Sequence, residues 1–232
     1  MTRALGLAFI GSLIAWDNIA IGQFAIAPPA VSAVLMGFLV GDVPLGIWSA
    51  LTFQLLWSGR LPVGAYVPPN AAVTGITAVG LAAPAVHPGV PLATRAVLAG
   101  VIALWAGVLA GRGDVAVKKA NVSSLRYAER GLDAGNEQAL RCGVLQGAAR
   151  FFFKDFVIIF ATYILGWPLL KVVTPLLSIM GTMPFAFAFA AAPGVGIGAA
   201  VASLRTKRDG FSFALGIAVA GGIAGVYWLC RI

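Results

Sequence analysis

The segment from Gly37 to Asn70 constrains this chain most, because it is apolar enough for a membrane yet cannot form one continuous helix. It reads GFLVGDVPLGIWSALTFQLLWSGRLPVGAYVPPN. Asp42, Gln54, Arg60 and Asn70 stand singly among hydrocarbon side chains, while Gly41, Gly46, Gly59 and Gly64, with Pro62, Pro68 and Pro69, interrupt the helix. Irregular backbone at membrane depth is tolerated only where protein or a water-filled cavity satisfies its N–H and C=O groups. Broken segments with isolated polar side chains are how secondary transporters build a midplane solute site. The stretch is therefore the leading candidate for a solute pathway.

Composition points the same way. The 232 residues are 60% hydrophobic and 10% charged, against about 25% charged in a soluble domain. A spanning helix takes ~20 apolar residues, so the length allows roughly six or seven spans. The expectation is an all-α polytopic integral membrane protein with some segments broken or re-entrant. Met1–Ala15 is apolar but continues past Trp16 without a small-residue cleavage site, so it reads as part of the first membrane segment. The net charge of +8 lies at segment ends and in one central block, as positive-inside topology requires, and no basic–aromatic interleaving suggests nucleic acid. Cys142 and Cys230 are far apart in sequence, which argues against a disulfide framework, and no metal spacing exists.

Along the chain, apolar segments are expected at Ala4–Ala20, Ala30–Gly41, Leu45–Ser58, Ala71–Leu81 and Leu92–Ala110. The Pro28-Pro29 doublet marks a segment start or a loop, and Pro84, Pro88 and Pro91 mark a turn around His87. Residues 112–155 then hold eight of the sixteen Lys and Arg and five of the eight acids. This block reads as one or two amphipathic helices, broken near Gly131 and Gly135, on the cytoplasmic side. It is either a solvated connector or a docking surface for a cytoplasmic partner. Phe156–Leu170 is a further span, Pro168 and Pro175 break the next stretch, and Leu176–Ala192 leads into Pro193. Phe211–Cys230 is a last Gly-rich helix with small-residue spacing for close packing. Three regions result: an N-terminal membrane region 1–111, a charged connector 112–155 and a C-terminal membrane region 156–232.

Hydrolytic chemistry finds little support. His87, the one histidine, sits between prolines and reads as structural, no serine lies in a GxSxG setting, and no P-loop is present. No catalytic residue, cofactor or metal ligand is assigned, which disfavours an intramembrane lipid-modifying enzyme. The intramembrane polar residues remain, and a buried charge there costs ~2.5–3.5 kcal/mol on insertion scales. Asp42 either caps the helix that follows Gly41-Asp42-Val43-Pro44 or lines the pathway. Gln54 offers donors and an acceptor, so it either meets sugar hydroxyls or bonds a neighbouring helix. Asn70 caps the helix from Ala71 or faces the cavity. Trp48, Trp57 and Tyr66 either stack on a pyranose or anchor at the interface.

At these residues the chain resembles the IIC subunit of the mannose/fructose/sorbose family of the bacterial sugar phosphotransferase system. The resemblance rests on Gly37-x-x-x-Gly41-Asp42-x-x-x-Gly46, Thr52-Phe53-Gln54-Leu55, Gly64-Ala65 and Pro68-Pro69-Asn70-Ala71-Ala72. Upstream, Gly22-Gln23-Phe24 and Pro29 match, and downstream Tyr127-Ala128-Glu129-x-Gly131 matches more loosely. Asn70 stands where the family usually has an acid, and Pro28 where a basic residue is frequent. The resemblance implies a multi-pass subunit of the bacterial cytoplasmic membrane that binds a hexose-like sugar and moves it inward. It also implies a IID-like membrane partner, soluble IIA and IIB phosphocarriers and an oligomer. Gln54, Asn70, Asp42, Gln23 and Gly64 become the candidates for the sugar path. An uncoupled sugar facilitator or sensor derived from such a subunit is the alternative.

Overall fold

A computed structural model describes residues 1–17, 22–58, 67–179 and 181–203, with Ala218 and Gly222 beyond them. Seven α-helices and no strands make up the described residues: α1 Thr2–Trp16, α2 Pro29–Val40, α3 Val43–Trp57, α4 Ala71–Leu81, α5 Leu92–Asp133, α6 Glu137–Ser178 and α7 Met183–Ser203. The expected last helix, Phe211–Cys230, lies outside the described residues except for Ala218 and Gly222, and Arg60, Gly64 and Tyr66 also lie outside them.

Three helices, α5, α6 and α7, are long and apolar enough to cross a membrane. The others are 11 to 15 residues long, or about 16–22 Å at 1.5 Å per residue. Each is too short to cross ~30 Å of hydrocarbon alone. They form a broken inner layer. The shortest, α4, is the centre of the bundle: ten of its eleven residues are buried, and α1, α2, α3, α5 and α6 all pack on it. The outward faces carry Trp105, Phe38 and Leu165, all more than half exposed, which suits lipid or another subunit.

Two expectations are corrected. Pro168 and Pro175 do not break the chain but sit inside the 42-residue α6, and Pro193 sits inside α7. A proline removes one backbone donor and crowds one carbonyl. Beside Pro168 the helix is tied to α4, where the Trp167 indole N–H donates to the Gly80 carbonyl at 3.2 Å, as neighbouring helices support such defects in membrane proteins. The segment break falls instead around Gly181, whose φ is +76°. Likewise α5 does not stop at Ala110 but runs on to Asp133, and α6 begins at Glu137. The change of composition near residues 112 and 155 therefore falls inside helices. The turn between them is where glycine was expected to break the block: Gly135 takes φ +74°, and Asn136 caps α6 by accepting from the Gln138 amide at 3.0 Å.

One end of the bundle is fixed by an ion pair. Asp42 caps α3, its carboxylate accepting from Leu45 N–H at 3.0 Å. The Arg95 guanidinium, from the first turn of α5, donates both to Asp42 and to the carbonyl of Ala82 just past α4. Beside it, the His87 ring donates to the Leu81 carbonyl at 3.0 Å. Burial pushes the His87 imidazole below its usual range, against the opposing pull of that bond, so it serves as a neutral donor at neutral pH. Both pair partners are nearly buried, so removing one should cost about 3–5 kcal/mol. Arg95→Met should lower the melting temperature of the detergent-solubilised protein by several degrees, and an unchanged transition would show that this pair does not hold α3, α4 and α5 together.

Candidate functional site

The other end of the bundle is where helices stop inside the protein. Here α2 starts at Pro29, α4 starts at Ala71 and α3 finishes at Trp57. A cavity of about 190 Å³ lies between these ends, lined by Ala27, Pro28, Pro29, Gln54, Trp57, Ala71 and Ala72. That is below the ~300–1,000 Å³ of drug-sized pockets and suits a small polar solute. The half-helix arrangement has a local cause. Pro28 and Pro29 have no N–H and fix φ, so the chain can begin α2 there but cannot continue a helix into it.

Gln54 reaches across from the last turn of α3, and its side-chain oxygen accepts from Ala30 N–H at 3.2 Å. The carboxamide thus joins the end of α3 to the start of α2 while lining the cavity. Trp57, one turn further, is on the same wall. Trp48 is not: its ring stacks on Phe189 at 4.9 Å and its indole N–H donates to the Phe189 carbonyl at 2.7 Å, which ties α3 to α7.

Asn70 flanks the cavity but is turned inward. It is 4% exposed. Its side-chain oxygen caps α4 at Val73 N–H (3.1 Å), and its amide nitrogen donates to Asp114 at 3.3 Å. Its backbone N–H donates to the Gly107 carbonyl of α5 at 2.9 Å. That approach requires glycine on α5: a Cβ at Gly111 would lie 2.6 Å from the Pro68 carbonyl oxygen. Behind Asn70, Lys154 of α6 pairs with Asp114 and with Asp155, the latter at 2.7 Å. One ammonium therefore bridges two buried carboxylates, and α4, α5 and α6 are pinned where the cavity opens.

The remaining wall is the loop after α1. Gly22, Gln23 and Ala25 all have positive φ (+87°, +52° and +61°), a conformation that costs a non-glycine residue roughly 1–3 kcal/mol. Asp17 holds it. Its carboxylate accepts from the N–H groups of Phe24 (2.7 Å), Ile26 (2.8 Å) and Ala27 (3.3 Å). Burial alone would raise the Asp17 carboxyl, yet these three donors outweigh it and hold the group below the ordinary carboxylate range. Gln23 itself is exposed at the tip of the loop.

The five candidates are thus spread unevenly. Gln54 lines the cavity, Asn70 borders it and Gln23 belongs to the neighbouring loop. Asp42 lies twelve residues from Gln54 on α3, about 18 Å away along the axis, and Gly64 lies outside the described residues. Asp17, Arg95, Asp114 and Lys154 were missed as organising residues. Asp17 and Arg95 were visible as lone charges at the edge of or within an apolar stretch, a position that by default marks function or a buried pair, whereas Asp114 and Lys154 lie in the charged block 112–155. Asp17→Ala should release the loop. Its charge-assisted bonds are worth about 1.5–3 kcal/mol, so exchange of the Phe24 and Ile26 amides should quicken ten-fold or more while α1 stays protected. Unchanged exchange would mean that Asp17 does not hold the loop.

A family model described as the sorbose-specific IIC component of the phosphotransferase system matches residues 1–226. The mannose-specific EIIC component of Escherichia coli strain K12 is 27% identical over 147 residues, covering 60% of this chain and 50% of that protein. That of Shigella flexneri matches to the same extent. The matched region thus spans about half the length of these curated relatives. A solved structure described as that of a membrane protein aligns over 99% of this chain and 96% of its own, with a TM-score of 0.66 at 21% identity. At that identity the likeness speaks for the fold alone.

Proposed function

Because the chain belongs to the family of sorbose-specific IIC components of the phosphotransferase system, we propose that it is the sugar-translocating membrane subunit of such a system. It takes a hexose-like sugar at the cavity beside Gln54 and passes it inward for phosphorylation by a separate IIB component. The observation that carries this reading is the pairing of a carboxamide and an indole, Gln54 and Trp57, on one wall of a small cavity between interrupted helices. An amide meets sugar hydroxyls, an aromatic ring meets the apolar face of a pyranose, and broken membrane helices are where solute sites form.

The position of the cavity supports the same reading. Along α3 the cavity at Gln54 lies about 18 Å from the Asp42–Arg95 end. The cavity lies at the Asp114 end, and from there α5 and α6 continue into the charged segment 112–155. With that segment in the cytoplasm, a soluble phosphocarrier reaches the sugar from the side on which the cavity lies. Soluble IIA and IIB components, a IID-like membrane subunit, an oligomeric assembly and a bacterial inner-membrane location belong to this proposal. The phosphoryl chemistry belongs to the carriers, and this chain supplies the passage. Gln54 contacts the sugar, Asn70 sets the start of α4, Gln23 belongs to the loop beside the path, and Asp42 braces the far end.

The test is labelled-hexose uptake into vesicles that hold the chain with a IID-like partner, with and without phosphorylated IIB. Uptake should require IIB and yield sugar phosphate, and Gln54→Leu should abolish it. That variant loses one hydrogen bond to Ala30, so its stability should fall by no more than about 1 kcal/mol. Normal uptake by Gln54→Leu contradicts the assignment, and uptake independent of IIB favours an uncoupled facilitator.

A further inference from the structure

We propose that Gln54 serves the sugar as a hydrogen-bond donor only, so that the sugar oxygen seated against it is recognised as an acceptor. This rests on the reading of the cavity as the sugar site. The sequence alone leaves both halves of the carboxamide open to a ligand, but the fold commits one of them. Of the first residues of α2, Pro28 and Pro29 have no N–H, and the amides of Val31 and Ser32 both donate to the Pro28 carbonyl at 2.9 Å. Ala30 N–H is the one first-turn donor left over, and Gln54 Oε1 takes it at 3.2 Å. First-turn donors left over in this way are satisfied by side chains, and in this exposed contact the Gln54 oxygen is the partner engaged with α2. Gln54 Nε2, with two hydrogens, has no hydrogen-bond acceptor among the described residues and is the group left for a ligand.

The surroundings reinforce this polarity. Ala71 and Ala72 line the same cavity. Asn70 satisfies Val73 N–H with its side chain and Thr74 N–H with its carbonyl. No described acceptor takes the amides of Ala71 or Ala72, and first-turn amides point out of the helix end. The nearby carboxylates face elsewhere, Asp17 onto the amides of its loop and Asp114 onto Lys154 and Asn70. The charged acceptors beside this wall are thus committed. A hydroxyl seated against Gln54 Nε2 gives its lone pair rather than its hydrogen, so fluorine replaces it and hydrogen does not.

The experiment measures binding to the full chain in lipid nanodiscs, using whichever of mannose, fructose or sorbose the wild type binds most tightly. The monodeoxy and monofluoro analogues of that sugar are compared at each hydroxyl. At one position the deoxy analogue should bind about ten-fold more weakly than the parent, and the fluoro analogue no more than about three-fold more weakly. In Gln54→Glu the capping oxygen is kept and the donor is replaced by an acceptor. That variant should melt within a few degrees of the wild type, bind the parent sugar about ten-fold more weakly and lose the fluoro–deoxy contrast. Equal losses for deoxy and fluoro analogues at every position overturn the inference while leaving the sugar site standing. Parent-sugar affinity undiminished in a folded Gln54→Glu also overturns it. The analogue contrast in the wild type decides alone where the variant does not fold. Failure of the wild type to bind any of the three sugars overturns the proposed function and this inference with it.

Discussion

A helix that ends inside an apolar bundle must have its free N–H and C=O groups satisfied by protein or by a water-filled cavity, and that requirement organises this fold. Lipid offers no such partner. The chain therefore places its few polar side chains at helix ends: Gln54 on the start of α2, Asp42 on α3, Asn70 on α4. Arg95 and His87 take the carbonyls at the finish of α4, and Asp17 gathers the amides of the loop before α2. A continuous helix would need none of these. It would also leave no cavity, because the space beside Gln54 exists only where α2 and α4 begin and α3 stops.

The two buried ion clusters divide the labour along α5. The Arg95–Asp42 pair closes one end of the central helix α4, and the Asn70–Asp114–Lys154 group closes the other. Such pairs are weak sources of net stability, since desolvation offsets attraction, but they penalise any arrangement that separates the partners. Their effect here is positional. They fix which end of α4 faces the cavity and which turn of α5 lies beside it, so that the polar surface of the cavity is set by backbone ends and one amide rather than by free carboxylates.

Much of this was legible in the residues. The Pro28-Pro29 doublet placed the start of α2, Ala71–Leu81 was recovered with the bounds observed for α4, and Gly135 with Asn136 located the turn between the long helices. Local rules sufficed because a proline at a helix start or a side-chain cap acts within four residues. Pairings across the fold were not legible. Nothing near Asp42 announces Arg95, fifty-three residues on, and nothing near Asn70 announces Asp114. For Asp42 and Asn70 the sequence left cap and ligand open, because lone polar residues in apolar sequence carry one signature for both roles. The helical prolines misled for the opposite reason. A rule that holds for an isolated helix fails for Pro168 and Pro175 inside α6, which packs on neighbouring helices.

The central claim is that the sugar occupies the space between the starts of α2 and α4, beside Gln54. Protection of an introduced thiol tests it most directly. Ala72→Cys lines that cavity, and Val101→Cys lines the separate apolar groove between α3, α5 and α7, both in a background with Cys142 and Cys230 replaced by Ser. Saturating hexose should slow labelling of Ala72→Cys by a small thiol reagent at least several-fold and leave Val101→Cys unaffected. Labelling of Ala72→Cys at the same rate with and without sugar, in a protein that still binds the sugar, would contradict the account and move the site elsewhere.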